Sequence, residues 1–141
     1  MEGQNNATKL HEVSFPLPGS LETRIHLSVT ASEKSVMVFV TTCASDSEAT
    51  NPMGSFVYAL PTSKNSSEPL STALFTAEQT VDFATRLAKL VAKRSGRPTY
   101  VSSSLSLQST ILGGTVEEEM EAFQRVVRIT LDVLNTSKSL S

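Results

Sequence analysis

The sequence predicts an α+β domain: a mainly antiparallel sheet of about six strands with two helices packed on it. Three observations predict it. Short stretches that alternate apolar and polar residues fill the first half, which is the period of a strand with one wet face. The second half holds two segments whose apolar residues recur at helical spacing. Strands first and helices mostly after them give an antiparallel sheet with its helices on one face.

Taken in order, Val13, Phe15 and Leu17 alternate with polar neighbours, so a short strand begins near Lys9 and stops around Pro16. Ile25, Leu27 and Val29 alternate with Arg24, His26, Ser28 and Thr30, a second strand with one wet face. Ala31 to Lys34 reads as a tight turn. The run VMVFV (36–40) is apolar on both faces and rich in β-branched residues, so it is expected to be a central strand covered on both sides. The stretch CASDSEATNPMG (43–54) is a polar loop. FVYAL (56–60) and LSTALF (70–75) are two further strands, separated by the polar segment PTSKNSSEP, which is expected to be mobile.

The period then changes. Thr76 to Gln79 spells a capping box, T-A-E-Q, which predicts a helix start there. Val81, Ala84, Leu87, Ala88 and Val91 form its apolar stripe. Gly96 is placed to end it in a left-handed conformation, and Pro98 prevents its resumption. TYVSSSL (99–105) is one more strand, and Gly113-Gly114 leads to a second helix with Thr115 and Glu118 as its capping box. Met120, Phe123, Val127, Leu131 and Leu134 line that helix. The organisation expected is a flexible amino terminus over 1–8, a single domain over 9–135 and a flexible tail over 136–141.

A chain of 141 residues can bury one core without disulfide or metal support. The composition, 39% apolar and 18% charged, excludes wholesale disorder. A formal charge of −2 gives no global pull toward nucleic acid or anionic membrane. Cys43 is the single cysteine, so no internal disulfide and no CxxC site exists. The first residues, MEGQNNATKLHE, lack the apolar core of a secretory signal, and no apolar run is long enough to span a bilayer. Cytoplasm, and also nucleus, is the expected location.

Candidate chemistry is sparse. His11 and His26 are the only imidazoles, neither lies in a recognisable motif, and both read as surface strand residues. Cys43 has no His or Lys beside it to lower its pKa, and a buried structural role is the simpler reading. Gly113-Gly114 precedes a helix, but the phosphate-binding glycine motifs are absent and three glutamates follow at once. No catalytic, cofactor-binding or metal-binding residue is assigned.

Two charged sets remain as candidate partner-binding residues. Arg86, Lys89, Lys93 and Arg97 fall close to one stripe of the first helix and its end. They also complement the negative end of the helix, so a purely stabilising role competes with docking. Without interleaved aromatics they do not point to nucleic acid. Glu117, Glu118 and Glu121 crowd the start of the second helix, splayed round its surface rather than converging on a cation. A solvated face favourable to the helix dipole is the simpler account, and docking to a basic partner the sharper one.

The segment PLSTALFTAEQTVDFATRLAKLVAKRSGRPTYVSSSL (69–105) resembles the strand, RLAxxxAK-type helix and strand of the proteasome assembly chaperone 4 family. EEEMEAF (117–123) resembles the E-E-M-E-A-F run near that family's carboxyl terminus. Both lie in the second half of the chain and together cover about a third of it, and the chain looks like a fungal-type member. It departs from the shorter animal-type members by its PTSKNSSEP insertion and by a second helix extended through Val126 to Leu134. The resemblance implies a heterodimer with a proteasome assembly chaperone 3-type subunit. It also implies binding to a proteasome α-type subunit, with alpha-type 5 expected, to promote assembly of the α-ring of the 20S core particle. No cofactor and no enzyme activity are implied. The alternative is a longin- or roadblock-like trafficking or GTPase-regulating scaffold, but those folds interleave helices between early strands. A third reading, a small hydrolase using Cys43 or a serine, would need a histidine beside the nucleophile.

Overall fold

In the computed structural model, residues 9–17, 23–44, 54–62, 68–78, 80–105 and 116–139 are described. They form β1 (Lys9–Pro16), β2 (Thr23–Ala31), β3 (Val36–Ala44), β4 (Ser55–Leu60), β5 (Leu70–Phe75), α1 (Val81–Ser95), β6 (Thr99–Ser103) and α2 (Val116–Ser139). The strands make one sheet in the order β1-β2-β3-β6-β4-β5. All pairs are antiparallel except β3 with β6, which run parallel. Among the described residues five strands precede the first helix, without the early interleaving of the scaffold alternative.

The alternation read from the sequence sorts the sheet into two faces. Ile25, Leu27, Val29, Val36, Val38, Val40, Val57 and Val101 are buried on one side. Both helices pack there. α1 contributes Phe83, Ala84, Leu87, Ala88, Val91 and Ala92, and α2 contributes Ala122, Val126 and Leu134. The rings of Phe83 and Phe123 meet edge-on, 5.4 Å apart, and join the helices. Small residues set the approach. Ala84, Ala88 and Ala92 recur every four residues on α1, and β4 offers Ser55, Val57 and Ala59 on its helix-facing side. Little side-chain bulk separates the two elements, so backbone and methyl groups pack closely.

α1 ends as expected, with Gly96 at φ 68° and its N–H bonded to the Ala92 carbonyl at 2.9 Å. Its start differs from the T-A-E-Q expectation. The helix begins at Val81, with Thr80 at the cap position and no side-chain cap bond. The Thr80 hydroxyl is engaged elsewhere, 2.7 Å from that of Ser55, and it also accepts the Ser55 N–H at 3.1 Å. Ser55 Oγ in turn accepts the Ala77 N–H at 2.9 Å. This buried network ties the β5–α1 turn to the start of β4, and it replaces local capping. The Thr115 capping box and Gly113-Gly114 lie outside the described residues, as do residues 1–8 and the centre of PTSKNSSEP. α2 continues to Ser139, beyond the last residue of its apolar stripe.

Two of the expected burials need correction. The β3 run is central, but among the described residues it is covered on one side only: Phe39 is 39% exposed. His11 is half-buried rather than exposed, because its strand position turns it toward the helix layer, opposite Val29. Its Nε2 is buried and makes no hydrogen bond.

Gly54 sits immediately before β4 at φ 70°, and a Cβ there would fall 2.1 Å from the Ser103 carbonyl oxygen. Gly54→Ala is therefore expected to destabilise the domain by more than about 1 kcal/mol. Thr80→Val, which leaves the Ser55 N–H buried without its acceptor, should cost about 1–3 kcal/mol. Urea unfolding of each variant checks both values.

Candidate partner-binding surface

The sheet face opposite the helices carries large side chains, and among the described residues nothing packs on it. On β4, Phe56, Tyr58 and Leu60 alternate with the small residues that face α1. Tyr100 of β6 stands between them, its ring 4.8 Å from that of Tyr58 and 6.1 Å from that of Phe56. Phe39 and Met37 of β3 lie opposite Ser102 and Tyr100 in register, and so continue the patch. At its outer end are Leu70 and Phe75 of β5, paired with Leu60 and Phe56. The face becomes polar toward β1, where Glu12, Ser14, His26, Ser28 and Thr41 surround a groove of about 330 Å³. An apolar patch of clustered aromatics with a polar margin is the anatomy of a protein interface.

That polar groove brings a histidine and a serine to one lining. His26 is exposed there, as its alternation predicted. The nearby Ser14 hydroxyl, however, accepts the Arg24 guanidinium at 2.9 Å, and Arg24 also reaches the Ser14 carbonyl at 3.1 Å. A guanidinium cannot remove a proton, so this serine is held as a cross-strand clamp rather than activated. Cys43 lies opposite Arg24 at the end of β3, and its side chain is outside the described set. Among the described residues, no three His, Cys, Asp or Glu side chains gather where a metal could be held. No described helix is long and apolar enough to cross a membrane.

The candidate charges lie in the helix layer and divide by role. Arg86 and Lys93 are exposed on α1. Lys89 reaches Glu68, just before β5, at 3.7 Å. Arg97 is half-buried, and its guanidinium donates to the Ser32 carbonyl in the β2–β3 turn at 2.5 Å. It therefore fastens that turn to the end of α1. Arg97 also borders a smaller notch shared with Arg94, Leu131, Leu134 and Asn135. Glu117 is exposed, Glu118 half-buried, and Glu121 pairs with Arg125 one turn on at 3.8 Å. The two charged sets are not brought together, since Arg94 and Arg97 meet the far end of α2 while the glutamates occupy its start.

The aromatic patch was missed as a site by sequence reasoning, although its signal was present. F-V-Y-A-L alternates large with small, and the small residues mark the side that a helix can approach. Two substitutions separate structural from surface charge. Arg97→Ala is expected to lower stability by about 1–3 kcal/mol through the lost charge-assisted bond to the turn. Lys93→Ala should stay within about 0.5 kcal/mol of the parent. Thermal or urea denaturation of the pair reads the difference.

Three comparisons place this architecture among known proteins. Curated protein sequences gave no match. Among solved structures, a chain described as "Crystal Structure of a Novel Chaperone Complex for Yeast 20S Proteasome Assembly" superimposes with a TM-score of 0.58 at 15% identity. The match covers 90% of this chain and 96% of that one. At that identity the likeness is one of fold. The family model described as proteasome assembly chaperone 4 matches residues 24–105, from β2 through the end of β6. With more than half of its length matched by that model, the chain belongs to the proteasome assembly chaperone 4 family.

Proposed function

We propose that this protein is one subunit of a two-protein chaperone that assists 20S proteasome assembly by binding, without catalysis. Its partner is a proteasome assembly chaperone 3-type subunit laid against the open sheet face. Its client is an α-type ring subunit, with alpha-type 5 the expected one. The observation that carries this reading is the uncovered patch of Tyr58, Tyr100, Phe56 and Phe39 in a chain of this family. A six-stranded sheet with helices on one side leaves apolar surface that a second sheet would bury. The likeness to a chain from a yeast chaperone complex supports the same reading. A domain with one cysteine, and so no internal disulfide, suits a reducing compartment, which we take to be cytoplasm and nucleus.

Affinity purification of the tagged protein tests the proposal. Recovery of a small chaperone partner together with α-type subunits is expected, and recovery of neither would sink it. Tyr100→Ala should weaken the heterodimer by about 2 kcal/mol or more, roughly thirtyfold, as truncation of a central aromatic anchor does. Far-UV circular dichroism should be unchanged, because Tyr100 faces away from the core. Calorimetric titration of the two purified subunits measures the loss.

A further inference from the structure

The two edges of the sheet are built differently. β1 carries Lys9, Glu12 and Pro16, the residue types by which natural edge strands discourage further pairing. β5 reads Leu-Ser-Thr-Ala-Leu-Phe, with no charge and no proline. Among the described residues it pairs only with β4, so its outer backbone groups have no strand beside them. A register shift near Phe56 leaves Leu74 as an extra residue in the strand, but Leu70 to Ala73 run in regular register.

Among the described residues the space beside this edge is open, and it is electrically biased. Ser71 and Ala73 lie on the helix-facing side, opposite Ala59 and Val57. Ala73 is nevertheless exposed, so α1 stops short of the outer rim and leaves a shelf floored by small side chains. Lys89 stands at the back of that shelf, held at 3.7 Å by a carboxylate of Glu68 that is itself 83% exposed. Arg86 and Lys93 are exposed on the same stripe, about one turn before and after Lys89. Asp82, in the first turn of α1, is the acid at the other end of that stripe. On the opposite side of β5, Leu70 is 66% and Phe75 55% exposed.

We propose that the outer edge of β5 accepts an extended acidic segment of the ring subunit as a seventh strand. Strand addition takes its affinity from main-chain hydrogen bonds and its specificity from alternate side chains. Acidic side chains of the segment fall on the helix side and meet Lys89, displacing Glu68, while the exposed Arg86 and Lys93 add positive charge at longer range. Apolar side chains alternate with them and lie beside Leu70 and Phe75. The fitting sequence is thus one that alternates Asp or Glu with apolar residues. The source of the strand rests on the chaperone reading above; the open edge and its basic flank do not.

The test uses the purified heterodimer and the ring subunit, with hydrogen-exchange mass spectrometry and affinity measured together. Addition of the ring subunit should slow exchange of the backbone amides across 70–75. Lys89→Glu and Ala73→Glu, both at accessible positions, should each weaken ring-subunit binding by about tenfold or more and leave the heterodimer intact. Glu68→Gln acts in the other direction: it frees Lys89, and affinity should rise about two- to threefold. Binding that is unchanged in all three variants, with no protection of 70–75, overturns the proposal while leaving the chaperone function standing. Protection of 70–75 on heterodimer formation alone overturns it in favour of the partner subunit as occupant. Failure of the wild-type heterodimer to bind any ring subunit removes both this proposal and the function on which its client depends.

Discussion

α1 lies close against β4 because both present small side chains where they meet. Ser55, Val57 and Ala59 are buried on the strand and Ala84, Ala88 and Ala92 on the helix, so the two approach through small groups. The bulk of β4 is moved to the other side, as Phe56, Tyr58 and Leu60. That division decides which face becomes core and which stays open. It also explains why the hydroxyl network of Ser55, Ala77 and Thr80 lies where it does: close approach leaves little room for water, and buried polar groups must then find protein partners.

The helix layer has a polarity of its own. Phe83 meets Phe123 near the two helix starts, and Arg94 lies beside Leu131 and Leu134 near their ends, so α1 and α2 run in the same direction. Their dipoles are aligned rather than opposed. Glutamates at the start of α2 and cations at the end of α1 offset that arrangement. This electrostatic role accounts for much of the charge pattern without any partner. What it does not account for is the Lys89 side of α1, which lies over an open strand edge rather than at a helix end.

Much of this was legible in the residue order. β1 and β2 followed from period-two alternation, β3 from an apolar run rich in β-branched residues, and Gly96 from the end of an apolar stripe. The T-A-E-Q box was misleading because a capping motif is local and the Ser55–Thr80 contact spans 25 residues. No local pattern competes with a buried hydrogen bond that it cannot register. The same limit applies to the charges. Their spacing put Arg86, Lys89, Lys93 and Arg97 near one stripe, yet the partners of Lys89 and Arg97 come from a loop and a turn distant in sequence. The parallel pairing of β3 with β6 was likewise invisible, since alternation reports which face a residue takes and not which strand lies beside it.

β6 lies between β3 and β4, although both precede it in the chain. Neither can complete its hydrogen bonding until residues 99–103 arrive. As the ribosome extends the chain, the β1–β2–β3 meander and the β4–β5 hairpin form separate pieces, each with a bare inner edge. One of those edges belongs to the apolar run of β3. Joining them closes a long stretch of chain around a parallel pair, a slow event in folding because the entropy of closure precedes the contacts that offset it. The nascent domain is thus most vulnerable to wrong pairing in the interval between synthesis of Phe75 and of Leu105, and only after that interval is the sheet complete.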